Sequence, residues 1–159
     1  MGIKLNLGAG FDFRLNYINI DLKPTHESII KGDFRDLSKI NIKDNSVEEI
    51  ICINSISYLH FSEILPVLKN WVSKLEPNGY IYIQSNDMNI LGNMMGYDQI
   101  TIEQLNEILF GKTGEELNKA IYSLPAIEAL AKDCGCEIIE KGYAGISFFI
   151  KIKKKVINE

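Results

Sequence analysis

Apolar residues along the 159-residue chain fall into short runs with the period of a strand and longer stretches with the period of a helix. Alternation over residues 3–7 predicts a first strand, and apolar runs predict two more, ending at Asp21 and over residues 28–31. An almost continuous apolar run over residues 47–53 predicts a strand covered on both faces. The remaining predicted strands span residues 80–84, 137–143 and 146–153.

Capping and stop residues delimit the predicted helices. Thr101 and Gln104 form a capping box ahead of a helix that Gly111 ends. Ser62 and Ser123 are the predicted caps of two other helices, and Pro66 is expected in the first turn after Ser62. The predicted helices span residues 62–75, 101–110, 114–120 and 124–134.

The alternation of strands and helices is typical of an α/β protein whose sheet is mostly parallel. The end of the chain differs, because Ala144 and Gly145 leave a connection short enough for an antiparallel hairpin. We expect one domain over residues 1–159, since this length is enough for a single core.

The connection after the first strand carries the strongest functional signal. Gly8 and Gly10 allow a sharp turn and a close approach of the backbone to a ligand, and Asp21 ends the next strand, where it can accept hydrogen bonds from both hydroxyls of a ribose. The dinucleotide fingerprint needs a third glycine, but position 13 is Phe13, and Asp21 follows Gly10 by only eleven residues. The loop is therefore poorly suited to a pyrophosphate and better suited to a small ligand that carries a ribose.

These residues resemble a known family. The segment LNLGAG, followed after a short link by YINID, is similar to the first motif of class I S-adenosylmethionine (SAM)-dependent methyltransferases. The nearest likeness is to a compact bacterial and phage group, methyltransferase type 11-like and often linked to glycan loci, with an LNLGCG-like motif. DNSVEEIICINSISYLH and LEPNGYIYIQ resemble later motifs of the family. The resemblance implies a Rossmann-like, seven-stranded, mostly parallel sheet of order 3-2-1-4-5-7-6 with an antiparallel final strand, helices on both faces and a shortened first crossover.

The resemblance also implies SAM as the cofactor. In that pattern Asp33 accepts from the adenine amine and Phe34 covers the ring, although Asp33 could instead cap the following turn. The residues expected to bind the cofactor are Asn6, Gly8, Ala9, Gly10, Asp21, Leu22, Asp33, Phe34, Ile53, Asn54 and Ser55.

Methyl transfer from a sulfonium is an in-line displacement, which requires positioning in a dry site and no acid-base pair. A hydroxyl acceptor would benefit from a general base, and the candidates are Asp87, His60 and Tyr58. A lone histidine at a helix start, such as His60, is more often a packing or capping residue. Residues 85–97, which include three methionines, are expected to form the acceptor side of the pocket or, alternatively, a surface loop.

The composition limits the kinds of partner that this chain is expected to bind. A net charge of −4 disfavours a nucleic-acid phosphate backbone, and no apolar run approaches the length of a membrane span. The three cysteines lack paired metal-ligand spacing, so we expect reduced thiols and no metal site. The first strand begins at Ile3, which leaves no room for a signal peptide and predicts a cytoplasmic protein.

Three functions are compatible with this sequence. The first is a SAM-dependent methyltransferase that acts on a small molecule or a glycan precursor. The second is a SAM-binding partner subunit without its own chemistry. The third, an NAD-linked enzyme, is disfavoured by Phe13, the short connector and the final hairpin.

Overall fold

The computed structural model describes residues 2–111 and 118–155, and this part of the chain contains seven strands and four α-helices. The strands are β1 (Ile3–Leu7), β2 (Ile18–Asp21), β3 (Ile29–Lys31), β4 (Val47–Ile53), β5 (Leu75–Asn86), β6 (Cys136–Ala144) and β7 (Ser147–Lys154). The helices are α1 (Phe61–Lys74), α2 (Met88–Gly96), α3 (Ile102–Phe110) and α4 (Leu124–Asp133).

All seven strands form one sheet in the order β3-β2-β1-β4-β5-β7-β6. Strands β1 to β5 pair in parallel, and β7 runs antiparallel to both of its neighbours. The predicted fold class and strand order are confirmed. The strand order reverses between β1 and β4, since β2 and β3 are added on one side of β1 and β4 and β5 on the other. In open α/β sheets such a switch point leaves a crevice beyond the carboxyl ends of the two strands.

The core lies between the sheet and helices α1 and α4. Alternate residues of β5 and β7 are fully buried against these helices, together with Trp71 of α1 and Ile127 of α4. The indole Nε1 of Trp71 donates to the carbonyl of Phe34 at 2.7 Å, which satisfies the one polar group of a buried ring. Trp71 is therefore a core residue.

Three element boundaries differ from the prediction. Helix α1 begins after His60, because the Glu63 carboxylate accepts from the His60 backbone N–H at 2.7 Å, so Pro66 lies in the second turn rather than the first. Strand β5 begins at Leu75 rather than at residue 80. Leu75 already pairs with Val47, and a register shift follows before Tyr80 pairs with Glu49. Of the helix predicted over residues 114–120, residues 114–117 lie outside the described part, and residues 118–120 are not helical.

The crossover from β1 to β2 contains no helix, as expected for a shortened connection. Two buried asparagines replace it. The Asn6 amide nitrogen donates to Asn19 Oδ1 at 2.9 Å and to the Asp12 carbonyl at 2.6 Å. Asn19 Oδ1 also accepts from the Arg14 backbone N–H at 3.0 Å, and Asn19 Nδ2 donates to the Arg14 carbonyl at 2.9 Å. Side-chain amides thus satisfy backbone groups that a helix would have paired internally.

Candidate functional site

The glycine turn lies at the carboxyl end of β1. Gly8 and Gly10 have φ values of +67° and +49°, in the left-handed region that favours glycine, and the Gly8 and Ala9 N–H groups donate to the Ile20 carbonyl. A Cβ on Gly8 would overlap the Ser55 side chain, so this glycine is required by the protein itself. A Cβ on Gly10 would come no closer than 4.0 Å to any protein atom outside its chain neighbours. The backbone at Gly10 therefore borders open space in the crevice.

Asp21 lies beside this open space and is half-buried. Its Oδ2 accepts from the Gly10 N–H at 2.9 Å and its Oδ1 accepts from the Lys23 N–H at 2.8 Å. A carboxylate has about four acceptor positions, so each oxygen retains one for a further donor such as a ribose hydroxyl. Leu22, the next residue, is 45% exposed and forms part of the same rim.

The predicted adenine side is corrected in part. The Phe34 ring is 4% exposed and packs edge-on against Trp71, with ring centroids 6.0 Å apart, so it cannot cover a ligand. Asp33 Oδ1 accepts from the Arg35 N–H at 2.9 Å, which is the capping role considered as the alternative. The Arg35 guanidinium also binds the Asp33 carboxylate at 3.1 Å and lies 3.4 Å from Glu63. This ion pair fixes the orientation of Asp33 but leaves its carboxylate 39% exposed.

The end of β4 forms the opposite lip of the crevice. Asn54 has a φ of +54° and an exposed side chain, and its N–H donates to the Gln84 carbonyl at 2.8 Å. Asparagine is one of the few non-glycine residues that adopt this left-handed conformation readily, and here it turns the chain at the end of β4. Ser55 is buried, and its hydroxyl donates to the Gly8 carbonyl at 3.0 Å. Ser55 therefore joins the two lips, and Ile53 is half-buried behind it.

Of the eleven residues predicted to bind a cofactor, the structure brings Gly10, Asp21, Leu22 and Asn54 to the surface of the crevice. It places Asn6, Ala9, Phe34 and Ser55 in the interior. Asn6 supports the crossover, Ala9 belongs to the glycine turn and Ser55 joins the two lips. Phe34 instead packs against Trp71 in the core.

A cavity of about 290 Å³ adjoins Asn54 at the carboxyl ends of β4 and β5. Its polar lining consists of Asn54, Ser57, Tyr58, Ser85, Asn86, Glu107 and Asn118, and its apolar or small lining of Ile108, Leu109, Gly111, Ala120 and Ile121. Ser85 and Asn86, at the start of the segment expected to form the acceptor side of the pocket, line this cavity. Met88, Met94 and Met95 are not among the residues that line this cavity, so the role expected of the methionines stays a prediction.

Ser57 fixes one wall of this cavity. It belongs to the single 3-10 turn Ile56–Tyr58, and its hydroxyl donates to Asn118 Oδ1 at 2.6 Å. The Ser57 carbonyl accepts from the N–H groups of Lys119 and Ala120 at 2.7 and 3.2 Å. Residues 118–120 are thereby held against the end of β4.

The three candidate bases lie in different environments. Asp87 is fully buried: Oδ1 accepts from the N–H groups of Asn89 and Ile90, and Oδ2 accepts from the N–H of Leu124 at 2.8 Å. It caps α2 and binds the first residue of α4, so it cannot reach an acceptor. His60 is exposed at the start of α1 and does not line the cavity, in agreement with a capping role. Tyr58 lines the cavity.

Sequence reasoning missed Glu107, Asn118 and Ser57. Glu107 lies on α3, a helix with no buried residue. No feature of the sequence therefore distinguishes Glu107 from other surface acids. Only the tertiary arrangement, which brings α3 over the ends of β4 and β5, places it at the cavity.

The described residues contain no helix that is long and apolar enough to span a membrane. Within residues 2–111 and 118–155, no three His, Cys, Asp or Glu side chains are grouped so that they could hold a metal ion. Cys52 and Cys136 are buried free thiols, and burial raises the pKa of Cys52 to about 12.

The switch point in strand order, the glycine turn after β1 and the antiparallel β7 define a Rossmann-like α/β fold. No family model and no curated protein matches the chain. Solved structures do match. A Pyrococcus horikoshii protein is 22% identical, with a TM-score of 0.69 over 97% of this chain and 82% of that one.

Two methyltransferase structures have the same fold. A SAM-dependent methyltransferase from Thermotoga maritima is 16% identical, with a TM-score of 0.65 over 98% of this chain and 83% of its own. An O-methyltransferase family protein from Burkholderia thailandensis is 13% identical, with a TM-score of 0.66 over 96% of this chain and 51% of its own. The fold of this chain is that of the class I SAM-dependent methyltransferases.

Proposed function

We propose that this protein is a SAM-dependent methyltransferase that acts on a small polar molecule or a glycan precursor. The observation that carries the proposal is the open space over Gly10, bordered by the Asp21 carboxylate, with a polar cavity at Asn54 on the same edge of the sheet. The residues fit such a cofactor, because a side chain at position 10 would fill the space that the ligand needs.

The cofactor, when bound, supplies an electrophilic methyl group on a sulfonium. The protein's own contribution is to position donor and acceptor. The backbone at Gly10 and the carboxylate of Asp21 hold the nucleoside, while Asn54 separates the cofactor crevice from the acceptor cavity. Holding two reactants in line and away from water accounts for most of the acceleration that such a displacement needs.

The chemistry of the cavity favours a neutral acceptor. Its described lining contains five amide or hydroxyl side chains besides Tyr58, one carboxylate, and no lysine, arginine or histidine. A phosphate or carboxylate acceptor would meet no opposite charge there, whereas hydroxyl groups would find both donors and acceptors. A volume of about 290 Å³ is at the small end for ligand sites and suits a molecule of monosaccharide size.

A hydroxyl acceptor must lose its proton as the methyl group is transferred. Glu107 is the one carboxylate among the described lining residues, and a carboxylate is a better proton acceptor at neutral pH than the phenol of Tyr58. We therefore assign the general-base role to Glu107. Asp87 is excluded from this role by its burial.

The test is calorimetry with SAM, followed by a labelled-methyl transfer assay on a panel of methyl glycosides, catechols, amines and phosphorylated sugars. We expect SAM binding and transfer to a neutral hydroxyl compound. Glu107→Gln should lower kcat by about 10²-fold without changing the affinity for SAM. SAM binding without transfer to any acceptor would favour a non-catalytic partner subunit, and NAD binding without SAM binding would overturn the proposal.

A further inference from the structure

Ser85 interrupts an apolar pattern at the end of β5. The alternate positions before it, Ile81 and Ile83, are fully buried, and so is its cross-strand partner Phe148. Alternate residues and cross-strand partners point to the same side of a sheet, so the Ser85 side chain points to the helix-covered side. Ser85 is only 3% exposed, yet it carries a hydroxyl where the alternation predicts an aliphatic side chain.

The hydroxyl of Ser85 makes no hydrogen bond within residues 2–111 and 118–155. In the same part of the chain, Arg35 Nε is the one fully enclosed side-chain nitrogen or oxygen without a hydrogen-bond partner. The Ser85 oxygen is therefore not sealed in the core but reachable from the cavity that Ser85 lines. A buried hydroxyl without a partner costs free energy, which a bound molecule with a complementary group recovers.

The next residue, Asn86, offers a second group to the cavity. Asn86 is half-buried, lines the cavity and pairs in register with Ser147, the first residue of β7. Its Oδ1 accepts from the Ser147 hydroxyl at 3.2 Å, which fixes the orientation of the amide. Nδ2 is then the end of the amide that can donate to a ligand.

Other polar groups of the lining are used by the protein itself. The Ser57 hydroxyl donates to Asn118 Oδ1 at 2.6 Å, and Asn118 Nδ2 donates to the Ile108 carbonyl at 3.4 Å. These bonds connect the end of β4, residue 118 and the last turn of α3, so they build the wall of the cavity. Ser85 and Asn86 differ, because the partners of their free groups are not among the described residues.

We propose that Ser85 and Asn86 form a hydroxyl-binding subsite that determines acceptor specificity, an inference that rests on the proposed methyl transfer. The acceptor is then a polyol, with one hydroxyl methylated beside Glu107 and a second hydroxyl held at the end of β5. A hydroxyl both donates and accepts, so the second one accepts from Asn86 Nδ2 and donates to Ser85 Oγ.

The subsite favours a monosaccharide within the class of neutral acceptors. A monosaccharide carries hydroxyls on neighbouring carbons and suits a cavity of about 290 Å³. A site built to hydrogen-bond a hydroxyl rejects the analogue that lacks it, because the buried polar groups of the site then stay unpaired. We therefore expect discrimination against deoxy analogues, and we expect Ser85 to be responsible for part of it.

Monodeoxy analogues test the subsite. The probes are the methyl pyranosides of D-glucose, D-galactose and D-mannose, with the monodeoxy analogues of whichever is methylated fastest. We expect the wild type to prefer the parent glycoside over one monodeoxy analogue at least tenfold in kcat/KM, mainly through KM. Ser85→Ala should lose that preference for that analogue alone and keep its affinity for SAM. It should also melt no lower than the wild type, whereas removal of a structural hydroxyl would lower the melting temperature.

Ser73→Ala is the matched control, since Ser73 is half-buried on α1 and its hydroxyl donates to the Asn70 carbonyl at 2.8 Å. This variant should keep the wild-type preference. Methylation of phenol or benzyl alcohol but of no glycoside would overturn the subsite and leave the methyl transfer standing, as would a Ser85→Ala protein that keeps every preference. Absence of SAM binding would overturn the proposed function instead. The subsite is then judged by NMR titration of the same glycosides: tighter binding to the wild type than to Ser85→Ala supports it, and equal or undetectable binding overturns it.

Discussion

At the scale of single residues, left-handed backbone turns shape both lips of the crevice. Gly8, Gly10 and Asn54 all have positive φ values, and they lie on the two facing lips. Gly8 is needed because a side chain there would displace Ser55, whereas Gly10 meets no protein atom. Only the second glycine is therefore a clean test of ligand binding.

We predict that Gly10→Ala weakens SAM binding at least tenfold, because the new methyl group occupies the space next to Asp21. Alanine at a φ of +49° should also lower stability by about 1–2 kcal/mol. Calorimetry and urea unfolding measure the two effects. Gly135→Ala is the matched control, since Gly135 has a φ of +71° and an added Cβ would meet nothing within 4 Å. It should lower stability equally and leave affinity unchanged; equal affinities in both variants would contradict the assignment.

At the scale of elements, carboxylates fasten helix ends to the rest of the fold. The Asp87 carboxylate accepts hydrogen bonds from a backbone N–H of α2 and from the N–H of Leu124, the first residue of α4. Asp87 therefore connects the segment after β5 to the last helix. Asp44 Oδ1 accepts a hydrogen bond from Nζ of Lys74, the last residue of α1, at 2.6 Å. These contacts hold the ends of α1, α2 and α4 in fixed positions.

Asp87→Ala should destabilise the protein by about 2–4 kcal/mol, because it removes a helix cap and leaves a buried N–H at Leu124 without its acceptor. Urea unfolding measures this loss. The comparison is Thr101→Ala, which removes the exposed cap of α3 and should cost about 1 kcal/mol. A folded, stable Asp87→Ala protein that has lost only turnover would instead restore Asp87 as a catalytic residue.

The Lys74 contact predicts a pH dependence. A hydrogen bond from Lys74 and its charge hold the pKa of Asp44 below the ordinary 3.8. A lowered carboxyl pKa stabilises the folded state above the unfolded value, and the contribution is lost as the pH falls through the folded value. Asp44→Asn should therefore melt below the wild type at pH 7, with a difference that shrinks below about pH 4. Thermal melts from pH 2.5 to 7 check this, and a difference independent of pH would exclude the ion pair as its source.

At the scale of the whole molecule, the switch point in strand order brings the glycine turn, Asp21 and the end of β4 to one crevice. The cavity at Asn54 lies along the same edge and is lined by residues of α3 and by Asn118, Ala120 and Ile121. Because the crevice is built from residues far apart in sequence, its ligand binds the folded state and should stabilise the domain as a unit.

We predict that SAM and its demethylated product, S-adenosylhomocysteine, both raise the melting temperature of the wild type, and that NAD does not. Ligand at a hundredfold excess over Kd adds about 2.7 kcal/mol to apparent stability, which a thermal-shift assay detects. Asp21→Ala should remove most of the shift for both ligands, because the ribose is common to both. A shift with NAD alone would mean that Asp21 serves a nicotinamide cofactor.

The sequence by itself determined the seven strands, helices α1, α3 and α4, and the glycine turn, but not α2, which lies in a segment expected to be pocket lining or a surface loop. Apolar periodicity places β4 at the residues that the structure shows, and the capping box at Thr101 marks the start of α3. These signals are local, since each depends on residues within one or two turns of one another. The strand order followed from motif resemblance, and the structure confirms it. The roles of Gly10 and Asp21 toward a cofactor stay predictions.

Only the tertiary structure decided which polar residues face a ligand. Asp87 and Glu107 are both acids near helix ends in the sequence, yet the first is fully buried between two helix starts and the second lines the cavity. Phe34 lies in the core for the same kind of reason, because Trp71 approaches it from a helix 37 residues away in sequence. Burial and cavity lining depend on contacts between segments that are distant in sequence. Local sequence patterns carry no information about those contacts, which only the folded sheet and its helices establish.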